Sequence, residues 1–326
     1  METKSLSLNY ALDNQYFLRN GPNKDVYLYL SLTGGPSPKQ SQRPPLNLAL
    51  VLDRSGSMSG EKLAYAKKAV SFVVNHLSPT DTLSIVHYDD QVEVVQKAAP
   101  VSDKTFLHQK VDRIAAGGST NLSGGMLEGY NQVNSVKQPK YVNRVLLLSD
   151  GLANVGVTEP QELQQLAQRQ FRQEQLSLST FGVGADFNED LMTNLAEYGA
   201  GNYFFIASPD QIPAIFAKEL AGLLSVVAQG VQVEVTFPDT YLTCSRVDGY
   251  PYVVEEDRVV IKLGDIFSQQ EKGMLLKFDC DQPFERDIAF GISLTYSDAT
   301  AQLSPVKERH QLPLQVTESE ETWRSG

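Results

Sequence analysis

Cysteine is scarce: the 326 residues hold only Cys244 and Cys280. Two cysteines are too few for a secreted disulfide scaffold, and their spacing is not that of metal ligands. They read as reduced, partly buried thiols of a cytoplasmic protein. Histidine is nearly as rare, and His76, His87, His108 and His310 are scattered along the chain, so packing or a surface position accounts for each. Basic residues are in deficit, 28 against 39 acidic ones, for a net charge of −11. That balance excludes nucleic-acid backbones as partners, because their binding depends on clustered Lys and Arg. No apolar run approaches the roughly 18 residues that a helix needs to span a bilayer. Met1-Glu2-Thr3-Lys4 lacks the basic start and apolar stretch of a secretory signal, so export by that route is not expected. The GxSxG, GxxxxGK[ST] and GxGxxG patterns are all absent, which removes the usual devices of acyl transfer, nucleotide hydrolysis and dinucleotide redox chemistry.

What remains is the composition of a soluble globular protein, 41% hydrophobic and 21% charged, long enough for about two domains. Two N-terminal stretches, residues 5–12 and 26–33, alternate as strands do, with Val26, Leu28, Leu30 and Leu32 on one face. The segment GGPSPKQSQRPP at 34–45 then reads as a linker. Beyond it, apolar strands alternate with amphipathic helices as far as Leu224. Strands such as Leu48-Ala49-Leu50-Val51-Leu52 and Val145-Leu146-Leu147-Leu148 carry no polar face. Burial on both faces implies an α/β domain with a doubly wound, mainly parallel sheet covered by helices. Past Ala228 the helical period stops, and short alternating strands predict a β-sandwich. The acidic stretch Glu318-Ser319-Glu320-Glu321 reads as a frayed tail.

In doubly wound sheets, ligands bind beyond the carboxyl ends of the strands. The first core strand ends in Asp53-Arg54-Ser55-Gly56-Ser57, and a later one in Ser149-Asp150-Gly151. A third loop, Gly117-Gly118-Ser119-Thr120-Asn121, precedes a helix and offers hydroxyls. Asp53, Ser55, Ser57, Thr120 and Asp150 are all hard oxygen donors, a set that suits Mg²⁺, Mn²⁺ or Ca²⁺ and disfavours zinc and copper. Three other assignments remain open for these residues. Ser55, Ser57 and Ser59 can be helix caps, with Asp150 opening a turn. Asp53 can be imagined as the nucleophile of a Mg²⁺-dependent phosphatase or phosphotransferase, although Ser55 occupies the place where such chemistry usually has a second carboxylate. The metal can also be purely structural, stiffening loops in a scaffold. Asp89-Asp90 after a strand reads as a solvated turn rather than part of the site.

The pattern Asp53-x-Ser55-x-Ser57, Thr120 in GGST and Asp150 in LLSDG resembles the von Willebrand factor type A domain. All five positions of that family's metal-ion-dependent adhesion site stand in order, and the resemblance covers residues 46 to 224. It implies a Rossmann-like sheet ordered 3-2-1-4-5-6, a bound Mg²⁺ or similar cation, and an open coordination position that accepts Asp or Glu from a partner protein. The resulting expectation is a type A domain at residues 46–226, inserted in a β-sandwich formed by 1–45 and 227–317, with a tail at 318–326. Its function is expected to be metal-dependent protein binding within an intracellular assembly, not catalysis.

Overall fold

The computed structural model describes residues 5–19, 21, 25–36, 44–138, 140–238, 240–280, 282, 284–301 and 303–326. The chain divides into two compact units, one comprising Met1–Arg43 with Ser225–Gly326 and the other Pro44–Leu224. Most of the linker, residues 37–43, lies outside the described residues. No helix among the described residues is long and apolar enough to cross a membrane.

In the first unit the N-terminal strands are β1 (Leu6–Leu12), β2 (Tyr16–Leu18) and β3 (Asp25–Gly34). The alternation in β3 has its physical reason in burial, since Val26, Leu28, Leu30 and Leu32 are all at most 3% exposed. The remaining strands of this unit come from the other end of the chain, so the elements of the central unit are numbered first.

That central unit begins with β4 (Leu46–Asp53), α1 (Glu61–His76), β5 (Thr82–Tyr88), β6 (Val92–Pro100), α2 (Lys104–Asp112) and α3 (Leu122–Ser135). It continues with β7 (Val142–Ser149), α4 (Pro160–Glu174), β8 (Ser177–Val183), α5 (Glu189–Tyr198), β9 (Tyr203–Ile206) and α6 (Ile212–Leu224). The sheet order is β6-β5-β4-β7-β8-β9, which is 3-2-1-4-5-6 counted within the unit. Every pair is parallel except β5 with β6. All eight positions of β4 are buried, as a strand covered on both faces requires. Because β4 is flanked by β5 on one side and β7 on the other, connections leave it in opposite directions. Its carboxyl end is therefore the switch point of the sheet.

The chain then returns to the first unit as β10 (Val226–Thr236), β11 (Leu242–Asp248), β12 (Tyr252–Glu255), β13 (Arg258–Phe267), β14 (Glu271–Cys280), β15 (Ile288–Asp298) and β16 (Ser304–Thr317). Two sheets form, ordered β1-β3-β14-β11 and β12-β13-β10-β15-β16-β2. Their inner faces share one apolar core that includes Leu28, Leu30, Val233, Ile261, Leu276, Phe278 and Ile292. Residues from both ends of the chain thus complete the same sandwich, with β3 paired to β14 and β2 running parallel to β16. Neither Cys244 nor Cys280 forms a disulfide. The acidic C-terminus is not frayed: Glu320–Arg324 form a short helix, α7, whose first turn is capped by the Ser319 hydroxyl accepting from the Thr322 N–H at 3.2 Å. Asn14 ties this helix down by donating to the Trp323 carbonyl at 2.8 Å.

Candidate metal centre

Asp53 is the last residue of β4 and is fully buried. Its Oδ1 accepts the Ser55 N–H at 2.9 Å, which bends the chain sharply after the strand. Its Oδ2 accepts the Ser149 hydroxyl at 2.6 Å and the Tyr88 hydroxyl at 3.3 Å. Tyr88 ends β5 and Ser149 ends β7, so both flanking strands deliver a hydroxyl to the carboxylate at the end of the central one. Burial dominates even so, and pushes the Asp53 carboxyl up to about 6 despite these hydrogen bonds. The same burial, reinforced by the Asp53 charge, holds the Tyr88 phenol well above its ordinary range.

Ser55 and Ser57 flank the turn after Asp53, and their hydroxyl oxygens lie 3.2 Å apart. Ser55 is buried and Ser57 is exposed, so the pair runs from the interior to the surface. Neither serine caps α1, whose N-cap is Gly60 with no side-chain hydrogen bond. Capping therefore does not explain these side chains.

Thr120, 2% exposed, precedes α3 in a loop fastened from several directions. Its N–H donates to Asn154 Oδ1 at 2.7 Å, and its carbonyl accepts the N–H groups of Asn154 and Val155, each at 3.1 Å. The loop after Asp53 holds the other side, through Gly117 N–H to the Arg54 carbonyl and Gly56 N–H to the Gly118 carbonyl, each at 2.7 Å. Asn121 caps α3 through Gly124 N–H at 2.9 Å. The Thr120 loop is thus held by the segments that follow β4 and β7, through backbone contacts from both and the Asn154 side chain from the latter.

Asp150, fully buried, follows β7 directly. Its carbonyl accepts the Asn188 N–H at 2.8 Å, and its Oδ2 lies 3.2 Å from the ammonium of Lys62. Asp53 and Asp150 are close enough that the second charge helps to raise the first carboxyl. Asp53 and Asp150 thus stand at the ends of neighbouring strands, Ser55 and Ser57 in the turn after Asp53, and Thr120 in a loop fastened to the segments that follow both strands. Among the described residues, no group of three or more His, Cys, Asp or Glu gathers to hold a metal, here or elsewhere; the five oxygen donors include only two carboxylates.

Asp89 departs from its expected place in a solvated turn. It is 4% exposed, and its Oδ2 meets Arg54 Nη2 at 3.0 Å and the Gly118 N–H at 3.3 Å. Burial raises this carboxyl, but the N–H groups of Gln91 and Gly118 and the Arg54 guanidinium outweigh it and hold Asp89 below the usual range. A Cβ on Gly117 would lie 1.7 Å from Asp89 Oδ2, so the glycine is a steric requirement of the close approach. Asp90 is exposed, as a turn residue should be. Sequence reasoning assigns no role to Tyr88, Ser149 or Asp89; the parallel pairing of β4 with β5 and β7 brings Tyr88 and Ser149 to Asp53 and sets Asp89 beside Arg54.

The chain is 31% identical over 214 residues to the uncharacterized protein YfbK of Escherichia coli (strain K12), a match that covers 65% of this chain but only 37% of that protein. It is 24% identical over 325 residues to the uncharacterized protein sll0103 of Synechocystis, covering 95% of this chain and 76% of the other. Among solved structures, the von Willebrand factor type A protein from Catenulispora acidiphila superposes with a TM-score of 0.78 at 15% identity, over 99% of this chain and 76% of that one. The family model of the von Willebrand factor type A domain matches residues 47–218. With more than half of its length matched, and with the sheet order and strand-end loops described above, the chain belongs to the von Willebrand factor type A domain family.

Proposed function

We propose that this protein is a divalent-cation-dependent protein-binding module, its cation held by Asp53, Ser55, Ser57, Thr120 and Asp150. The observation that carries the reading is the pair of fully buried carboxylates, Asp53 and Asp150, set at neighbouring strand ends beside clustered hydroxyls. Burying a carboxylate is costly unless a compensating charge is at hand, and the hydroxyls around Asp53 do not supply one. A divalent cation does, and an all-oxygen donor set of carboxylates and hydroxyls is the chemistry that Mg²⁺ or Mn²⁺ prefers. When bound, the cation would offer an electrophilic position to an incoming anion. The chain's own part is to present that position through the exposed Ser57 and the loop around Thr120. The matching ligand is an Asp or Glu of a partner protein, in keeping with a family of protein-interaction modules.

A phosphotransferase reading fits less well. Asp53 is fully buried with both carboxylate oxygens accepting hydrogen bonds, a poor state for a nucleophile. The residue two positions later is Ser55, whose backbone N–H serves the Asp53 turn. The test is partner capture from native lysate in Mg²⁺, in EDTA, and with Thr120→Ala or Asp150→Ala. Loss of the same partner in the last three conditions supports the proposal. Equal retention in all four moves recognition to another surface.

A further inference from the structure

The two buried carboxylates are compensated differently. Asp53 faces neutral donors only among the contacts described above, whereas Oδ2 of Asp150 faces a full positive charge, Lys62 Nζ at 3.2 Å. Lys62 is the second residue of α1, and its side chain is 16% exposed. The same ammonium lies 2.6 Å from Oδ1 of Asp186, whose side chain is 72% exposed. The path of the lysine stem is built into the fold. It crosses Gly184, just after β8, where a Cβ would lie 2.5 Å from Lys62 Cε and 3.0 Å from Cδ. Gly184 has φ +87, a conformation that L side chains rarely adopt, so backbone and stem are fitted to one another.

We infer that Lys62 is the built-in cation of this site: it occupies Asp150 in the metal-free chain and must yield that oxygen, wholly or in part, when a divalent cation enters. This inference rests on the metal reading above and names its regulation. Two carboxylates leave the site at a formal charge of −2, and Lys62 brings it to −1. A divalent cation entering beside the ammonium meets like-charge repulsion, which in a buried site is weakly screened. Asp186 gives the ammonium a second resting place. Being mostly exposed, it can hold the lysine when Asp150 turns to the metal. The arrangement therefore keeps a buried carboxylate paired in the metal-free chain and sets metal affinity below what the oxygen donors alone would give.

The experiment compares the full-length wild type with Lys62→Gln, Lys62→Arg and Asp186→Asn, by calorimetric titration with Mg²⁺ and Mn²⁺ and by thermal melting in EDTA. Lys62→Gln should bind Mg²⁺ about tenfold more tightly, a change of about 1.4 kcal/mol by the standard conversion. It should also melt lower than wild type in EDTA, and that loss should vanish in an Asp150→Asn background. Lys62→Arg should stay close to wild type in both measurements. Asp186→Asn should weaken Mg²⁺ binding several-fold by confining the ammonium to Asp150, and this supplies the deciding measurement if Lys62→Gln fails to fold. Unchanged or weaker binding by Lys62→Gln, or an unchanged Asp186→Asn, overturns the inference and leaves the metal site standing. Binding by Lys62→Gln alone, with a silent wild type, overturns both, because the native lysine then excludes the cation instead of yielding to it. Silence from both overturns both.

Discussion

The Ser149 hydroxyl donates to Oδ2 of Asp53 at 2.6 Å, joining the ends of β7 and β4 at the switch point of the sheet. Ser149 also accepts the Gly151 N–H at 2.9 Å, so one hydroxyl fixes Asp53 and the turn that carries Asp150. Ser149→Ala should therefore disturb both carboxylates. The expected cost is about 1 to 2 kcal/mol of metal-free stability, the range for losing a buried hydrogen bond. Mg²⁺ affinity should fall about tenfold, measured by calorimetric titration beside urea unfolding.

Metal addition should stabilise the folded chain by linkage. At a hundredfold excess over the dissociation constant the gain is about 2.7 kcal/mol, which for a unit of this size is a melting shift of about 5 to 11 °C. Differential scanning calorimetry with Mg²⁺, with EDTA and with Asp53→Ala checks it, and the variant should show no shift.

In the metal-free chain Asp53 is raised from 3.8 to about 6, so its protonated form is the one that the fold favours. Its contribution to stability is fully present below pH 3.8 and is lost as pH rises through about 6. Asp53→Asn cannot titrate. In EDTA the variant should gain on the wild type between pH 4 and 7, approaching about 3 kcal/mol at neutral pH. Denaturant melts of both proteins across that range measure the difference. Parallel pH profiles would show that Asp53 is not desolvated as described.

Gly117→Ala should cost about 1 to 3 kcal/mol, the range for overpacking, because the added methyl meets Asp89 Oδ2. Thermal melts of Gly117→Ala, Asp89→Ala and the double variant form a cycle. The penalty for the alanine should shrink once Asp89 is shortened, whereas additive losses would place the strain elsewhere.

Removing residues 1–34 deletes β1, β2 and β3, stripping β14 of a partner and uncovering core side chains such as Leu276 and Phe278. Limited proteolysis should then cut between β11 and β16 under conditions that leave the full chain intact. Resistance there would mean that the remaining strands close a core alone.

The strands most legible in the sequence are those whose burial is uniform or strictly alternating, such as β4 and β3. β11 escapes the alternating pattern because its pairing with β14 shifts register between Cys244 and Arg246. β12 is a four-residue edge strand with Val253 and Val254 exposed, and β2 has three residues. Neither has enough period to register. At the site, the type and order of the five oxygen donors could be read directly, since each stands at a strand end or in a Gly-rich loop. Their supports could not. Tyr88, Ser149 and Asp89 acquire their contacts from which strands lie beside β4, a tertiary choice that no local spacing encodes.

Leu30 in β3 pairs with Met274 in β14, across the whole of the inserted unit. During synthesis β3 leaves the ribosome early, while the strand that completes its sheet follows only after the α/β unit has been made. At roughly 5 to 20 residues per second, the first strands wait on the order of ten seconds or more without their partner. In that interval the α/β unit has all of its own strands and can fold, whereas Leu28, Leu30 and Leu32 have no finished core to enter. The nascent chain thus carries an unshielded, aggregation-prone edge on β3 until β14 has been made, and the slow step of maturation should be closure of the sandwich rather than assembly of the metal-facing loops.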